Sequence, residues 1–279
     1  MTNDEIPKEA PSSKLSLVES RALVLEISSF FGCLGSWVFG CFPLVIILAS
    51  TLNCTATSSV QELFTGGSQA YATGKYEAAA ASFIEAAEAA PAPGTLHNLG
   101  NAEWQLGHTG PAILAWERAQ WLDPFSPNPR ANLRYARKAR LLEAPDLGWF
   151  EICSTWLPAN AWPWIASFSL WLAIALVIFP GVFRWRKASW QQALAAAGFA
   201  IFLLTIPALI GIQSRTKLGV ILPRNVNLCL TPTSEAQPIA RLAAGEIVRL
   251  ERERGKYLFV RTSTASGWIA RSQFSLIAR

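Results

Sequence analysis

Three windows of this chain carry no Asp, Glu, Lys or Arg: between Glu26 and Glu62, between Glu151 and Arg184, and between Lys187 and Arg215. An α-helix rises about 1.5 Å per residue, so roughly 20 apolar residues cross a bilayer's hydrocarbon core, and every window is long enough. The composition agrees: 51% of residues are hydrophobic and 15% charged, against roughly 25% charged in an average soluble domain. A membrane-bound chain is therefore expected, with soluble portions between and after the apolar runs.

The first window holds "FFGCLGSWVFGCFPLVIILAS", Phe30 to Ser50, followed by the small and polar "TLNCTATSSV". Residues 1–58 read as an N-terminal export signal or a membrane anchor. Cleavage near Ala56 to Ser59 would suit a signal. Asp4, Glu5, Glu9, Glu19 and Glu26 outnumber Lys8, Lys14 and Arg21 ahead of the run, which suits a retained anchor, because the leading region of a signal is normally basic.

The other two windows make residues 157–213 a two-helix transmembrane hairpin. Trp156, Trp162, Trp164, Trp185 and Trp190 flank its apolar runs, where indoles favour the membrane interface. Arg184, Arg186 and Lys187 form a basic loop, whereas Glu143, Asp146 and Glu151 precede the hairpin. Basic loops stay cytoplasmic, so these three cations orient the hairpin with its loop inside and the flanking domains outside. The basic segment around Arg134 and the pair Arg215 and Lys217 pull more weakly the other way. Neither run holds an acid or a base, so an ion or proton pathway has no carrier.

Upstream, "GSQAYATGKYEAAAASFIEAAEAAP" (Gly67 to Pro91) and "GNAEWQLGHTGPAILAWERAQWLDP" (Gly100 to Pro124) match type for type. Gly67 pairs with Gly100, Tyr71 with Trp104, Gly74 with Gly107, Ala79 with Ala112, Phe83 with Trp116, Ala86 with Ala119 and Pro91 with Pro124, each 33 residues apart. Such a period marks units that bury their faces by stacking. The residues resemble the tetratricopeptide (TPR) repeat, a helix–turn–helix unit, over residues 59–144. "SPNPRANLRYARKARLLE" would then be the capping helix, with Ser126 or Asn128 as N-cap and Pro129 in its first turn. In that family the first helix of each unit lines a concave groove, which implies a partner-binding site at Phe64, Ser68 and Tyr71 in one unit and His97, Asn101 and Trp104 in the next. The competing reading makes Tyr71 and Trp104 core or cap residues. Arg130, Arg134, Arg137, Lys138 and Arg140 give the capping helix a basic face that is either solvated or set against an anionic partner. With a net charge of +5 and no recognition motif, nucleic acid is not an expected ligand.

After Lys217 the pattern changes to short alternating runs. Val248, Leu250, Leu258 and Val260 alternate with polar residues about the "ERERGK" turn, as in an antiparallel hairpin. Together with "VNLCLTP", "LAAGEIV" and "GWI", residues 216–279 resemble the bacterial SH3-like (SH3b) domain, a small all-β barrel. Cys229 and Tyr257 stand where that family often has arginine and tryptophan. The resemblance implies a module that binds peptidoglycan or peptide segments, or serves as a spacer.

Nothing in the pattern points to catalysis. His97 and His108 are the only histidines, and the five cysteines show no metal-binding spacing. No cofactor or metal is expected. The order of export segment, TPR repeats, transmembrane hairpin and SH3b domain resembles the BatE proteins of bacterial aerotolerance (Bat) operons over nearly all of residues 60–279. That resemblance implies an inner-membrane protein with periplasmic modules, working beside von Willebrand A-type Bat proteins, a BatD-like protein and a MoxR-type ATPase in envelope stress tolerance. The expected function is that of a non-enzymatic adaptor anchored among membrane lipids. The alternative is a module that grips peptidoglycan through its SH3b domain.

Overall fold

The computed structural model describes residues 54–182, 189–233 and 236–278. The apolar run Phe30 to Ser50 and the orienting residues Arg184, Arg186 and Lys187 lie outside the described residues. Eight α-helices and a seven-stranded antiparallel sheet make up the described part, the combination of helical and all-β portions that the sequence pointed to.

Four helices form two consecutive hairpins: α1 (Cys54–Ala72) with α2 (Tyr76–Ala89), and α3 (Pro93–Gln105) with α4 (Thr109–Leu122). The 33-residue correspondence has a steric origin. Gly74 and Gly107 turn each hairpin at φ +77° and +78°, a region that side chains with a Cβ rarely adopt. Gly67 and Gly100 give room to the aromatic of the opposite helix. A Cβ on Gly67 would lie 2.8 Å from the Phe83 ring, and one on Gly100 would lie 2.5 Å from the Trp116 indole. Pro91 and Pro124 follow the ends of α2 and α4, which cannot continue through them. The next helix, α5 (Pro127–Arg140), has Ser126 at its N-cap position without a side-chain cap bond, and ends on Leu141 in the left-handed region.

A short helix that the sequence reading did not contain, α6 (Trp149–Ser154), leads into α7 (Ala161–Val182) and α8 (Ser189–Arg215). The last two pack against each other and are long and apolar enough to cross a membrane. Only 17% and 22% of their most apolar windows are buried, so these side chains face outward, unlike those of a soluble protein's core helix.

The strands are β1 (Leu218–Ile221), β2 (Val226–Cys229), β3 (Pro238–Leu242), β4 (Ile247–Arg254), β5 (Tyr257–Arg261), β6 (Ser266–Ala270) and β7 (Phe274–Leu276), in the spatial order β3-β2-β6-β5-β4-β1-β7. The alternation about "ERERGK" is the β4–β5 hairpin, with Leu250 opposite Val260 and Arg254 opposite Tyr257. Val248, Leu258 and Val260 point into the sheet's own core with Ile221, Leu228 and Ile269.

The helices and the sheet share a second core. Ala112, Ile113 and Trp116 of α4 and Leu133 and Ala136 of α5 close over Leu218 and Val220 of β1 and over Ile277. The edge strand β7 is stoppered from the same helix, because Arg118 donates to the Leu276 carbonyl (2.9 Å) and to Ser275 Oγ (3.0 Å). That contact covers one of the two strand edges that could otherwise pair with another chain.

Candidate functional site

The six residues singled out on α1 and α3 are all half-buried, each with some surface left to solvent. Phe64 meets the Phe83 ring (5.9 Å between centroids) and Tyr71 meets Tyr76 edge-on (5.3 Å). The Ser68 hydroxyl donates to the Phe64 carbonyl one turn back, at 2.8 Å. On α3, Trp104 packs on Trp116 (5.7 Å) and edge-on to Tyr135 of α5 (6.0 Å), with the Arg140 guanidinium 5.5 Å over its ring. His97, Asn101 and Trp104 therefore sit together, continued onto α5 by Asn132, Tyr135 and Arg140. Phe64, Ser68 and Tyr71 form a separate row on α1.

Asn101 is the polar pivot of this surface. Its Oδ1 accepts from Trp116 Nε1 (3.2 Å) and from Asn132 Nδ2 (2.7 Å). Its own amide group, left as the donor, faces His97 Nε2 at 3.2 Å. Nε2 is then an acceptor, which places the imidazole proton on Nδ1. Nδ1 is buried and has no hydrogen-bond partner. Burial holds the His97 pKa below its ordinary value, because charging the ring would bury a cation as well. Replacing Asn101 by leucine strands the Asn132 amide and leaves Trp116 Nε1 only the His97 carbonyl, at 3.2 Å. A loss of about 1–3 kcal/mol is expected, read as a lower midpoint in chemical denaturation. Adding Asn132→Leu on that background should recover part of the loss, because it removes the stranded amide.

A second polar cluster sits where the helices, the apolar hairpin and the sheet meet. Glu151 of α6 is 4% exposed and is held by Arg249 of β4 through two bonds, Nη1 to Oε1 (2.7 Å) and Nη2 to Oε2 (3.1 Å). Ser214 Oγ donates to Oε1 (2.5 Å) and the Gly148 amide donates to Oε2 (2.9 Å). Arg215 reaches Ser154 Oγ (3.2 Å), and its guanidinium lies 4.7 Å over the Trp121 ring of α4. Trp162 Nε1 donates to the Ser154 carbonyl (3.3 Å), fastening α7 to α6. Burial alone would raise the Glu151 carboxyl's pKa, but the bonds from Arg249, Ser214 and Gly148 outweigh it and hold it below the usual range. Glu117 of α4 pairs with Arg137 of α5, yet burial still pushes its carboxyl up.

The sequence reading used Glu151 only as a flanking acid and gave Arg249 no role. A signal was present: "WFEICS" buries one acid among apolar neighbours beside a membrane run, and such a charge requires a partner. The basic residues of α5 are divided among separate tasks. Arg137 serves Glu117, Arg130 donates to the Pro124 carbonyl (2.5 Å), Arg140 covers Trp104, and Arg134 and Lys138 are exposed. Among the described residues no group of three or more His, Cys, Asp or Glu is placed to hold a metal ion.

No protein-family model, curated protein or solved structure matches this chain.

Proposed function

We propose that the chain is a membrane-anchored, non-enzymatic adaptor of the bacterial envelope, whose helical repeats bind a segment of a protein partner. The observation that carries this reading is the division of labour among the helices. α4 is sealed beneath the sheet, while α1 leaves Tyr71 partly open and α3 leaves His97 and Trp104 partly open, with Trp104 against Tyr135 at 64% exposed. Partly exposed aromatic side chains with nearby amides are the usual anchors of peptide recognition. The TPR and SH3-like readings of the two portions, and the likeness to BatE, make von Willebrand A-type Bat proteins, a BatD-like protein and a MoxR-type ATPase the partners to test. Tyr71→Ala with Trp104→Ala is expected to abolish their co-purification while helicity is retained. Unchanged co-purification from the folded double variant would sink the reading.

The proposed placement puts the repeats and the sheet in the periplasm and the loop holding Arg184, Arg186 and Lys187 in the cytoplasm. A reporter active only in the periplasm should work when fused after Arg279 and fail when fused after Lys187.

A second reading, peptidoglycan binding, is favoured by one feature of the sheet. Phe259 and Trp268 pair edge-on at 5.2 Å, and both are half-exposed on neighbouring strands, with Cys229 of β2 opposite Trp268. That reading requires the full chain to be retained on purified sacculi and Trp268→Ala to lose retention. The adaptor reading predicts neither.

A further inference from the structure

α6 has two unlike faces. It lies against α8 at Gly211, where a Cβ would run into the Phe150 carbonyl. Gly211 stands four residues before the last residue of α8, about 6 Å along the helix axis, so α6 meets the hairpin at one end of its apolar length. The inner face of α6 carries Glu151 and its bonds to Arg249 and Ser214. The outer side of α6 and of the turn after it is apolar and largely exposed among the described residues: Trp149, Ile152 and Trp156 are 60%, 48% and 64% exposed. Trp164 and Phe168 of α7 are exposed as well, and the bond from Trp162 to Ser154 holds the start of α7 beside the end of α6.

So many large apolar side chains exposed on adjoining elements are foreign to a water-facing protein. Indoles concentrate at the headgroup level of a bilayer, and short amphipathic helices lie in the plane of that interface with their apolar side down. We propose that α6 is an interfacial anchor: Trp149, Ile152 and Trp156 lie in the headgroup layer of a phospholipid bilayer, beside the end of α8. From the opposite face of the same helix, Glu151 grips β4, which fixes the sheet's orientation to the membrane plane. This inference rests on α7 and α8 spanning the bilayer and is independent of what the repeats bind.

The test uses the full chain in phosphatidylcholine/phosphatidylglycerol vesicles, with its native cysteines replaced by serine. One new cysteine at a time, Ile152→Cys, Trp156→Cys, Phe168→Cys or Ile239→Cys, carries an environment-sensitive fluorophore. Ile239 is an exposed position on β3 and reports contact with water. Labels at 152 and 156 are expected to be several-fold less quenched by iodide than the label at 239, and quenched most by a nitroxide near the headgroups. The label at 168 should respond best to a deeper nitroxide. Equal iodide quenching at 152, 156 and 239, with 168 still lipid-quenched, overturns the anchor alone. Iodide quenching at 168 as well overturns it together with the membrane-spanning hairpin, leaving partner capture by the repeats to be judged separately.

Discussion

Glu151→Ala is expected to cost the folded chain about 3–5 kcal/mol, the usual result of removing one partner from a buried ion pair. The change leaves the Arg249 guanidinium without its carboxylate, and it strips Ser214 Oγ of Oε1 and the Gly148 amide of Oε2. Unfolding followed in detergent should show one transition at a lower midpoint if helices and sheet still unfold together. It should show two if the grip on Arg249 is what unites them. Glu151→Leu with Arg249→Met should recover much of the loss, since an apolar pair of similar volume leaves nothing charged and unpaired.

The same carboxylate sets a pH dependence. Because its folded pKa is held below the ordinary value, the folded state binds protons less readily there than the unfolded chain. Its contribution is therefore complete above the ordinary carboxylate range and is lost as pH falls through the depressed value. Glu151→Gln should lower stability at neutral pH and flatten that part of the acid limb. Glu117 acts with the opposite sign, since burial raises its pKa, so the fold gains stability from it as pH falls through the raised value. Melting curves of Glu151→Gln and Glu117→Gln, taken from neutral pH to well below the ordinary carboxylate range, separate the two contributions.

Gly100→Val is the second large effect. The added Cβ would sit 2.5 Å from Trp116 Cδ1 and Nε1, and the indole has no room to retreat because it is buried and tied to the His97 carbonyl and Asn101 Oδ1. Overpacking of this kind costs about 1–3 kcal/mol, and α3 and α4 must separate to relieve it. Gly66→Ala is the internal control. A Cβ at Gly66 meets nothing within 4 Å, so the substitution should gain up to about 1 kcal/mol from helix propensity. Thermal midpoints that move in opposite directions for Gly100→Val and Gly66→Ala would confirm that the repeat glycines are there for the aromatics opposite them. A neutral Gly100→Val would refute it.

What could be read from the chain and what could not divides along sequence separation. The correspondence of Gly67 with Gly100 and of Phe83 with Trp116 was visible because each contact joins helices adjacent in sequence, so packing leaves a periodic trace. The two apolar helices were visible because each leaves a long run without charge in the sequence, and the β4–β5 hairpin because its partners flank one turn. Arg249 and Glu151 are 98 residues apart, and no local pattern announces their pairing. The covering of β1 by α4 was hidden for the same reason. Ala112, Ile113 and Trp116 look like ordinary core positions of a helical repeat whether they face a third repeat or a sheet. Of the six residues on α1 and α3, the sequence could propose a shared face. It could not foresee that Asn101 would be occupied by Trp116, His97 and Asn132, a distribution set by how close α5 comes.

The join between α8 and β1 is two residues long, Thr216 and Lys217, and even fully extended they span only about 7 Å. The sheet thus has no tether on which to roam, and the repeats bound to it share that confinement. With α7 and α8 spanning a bilayer as proposed, whatever they meet must come within a shallow layer beside it. A partner held in the same membrane would search for them in two dimensions, where effective concentration is high and modest contact affinities suffice. A freely diffusing partner would have no such advantage.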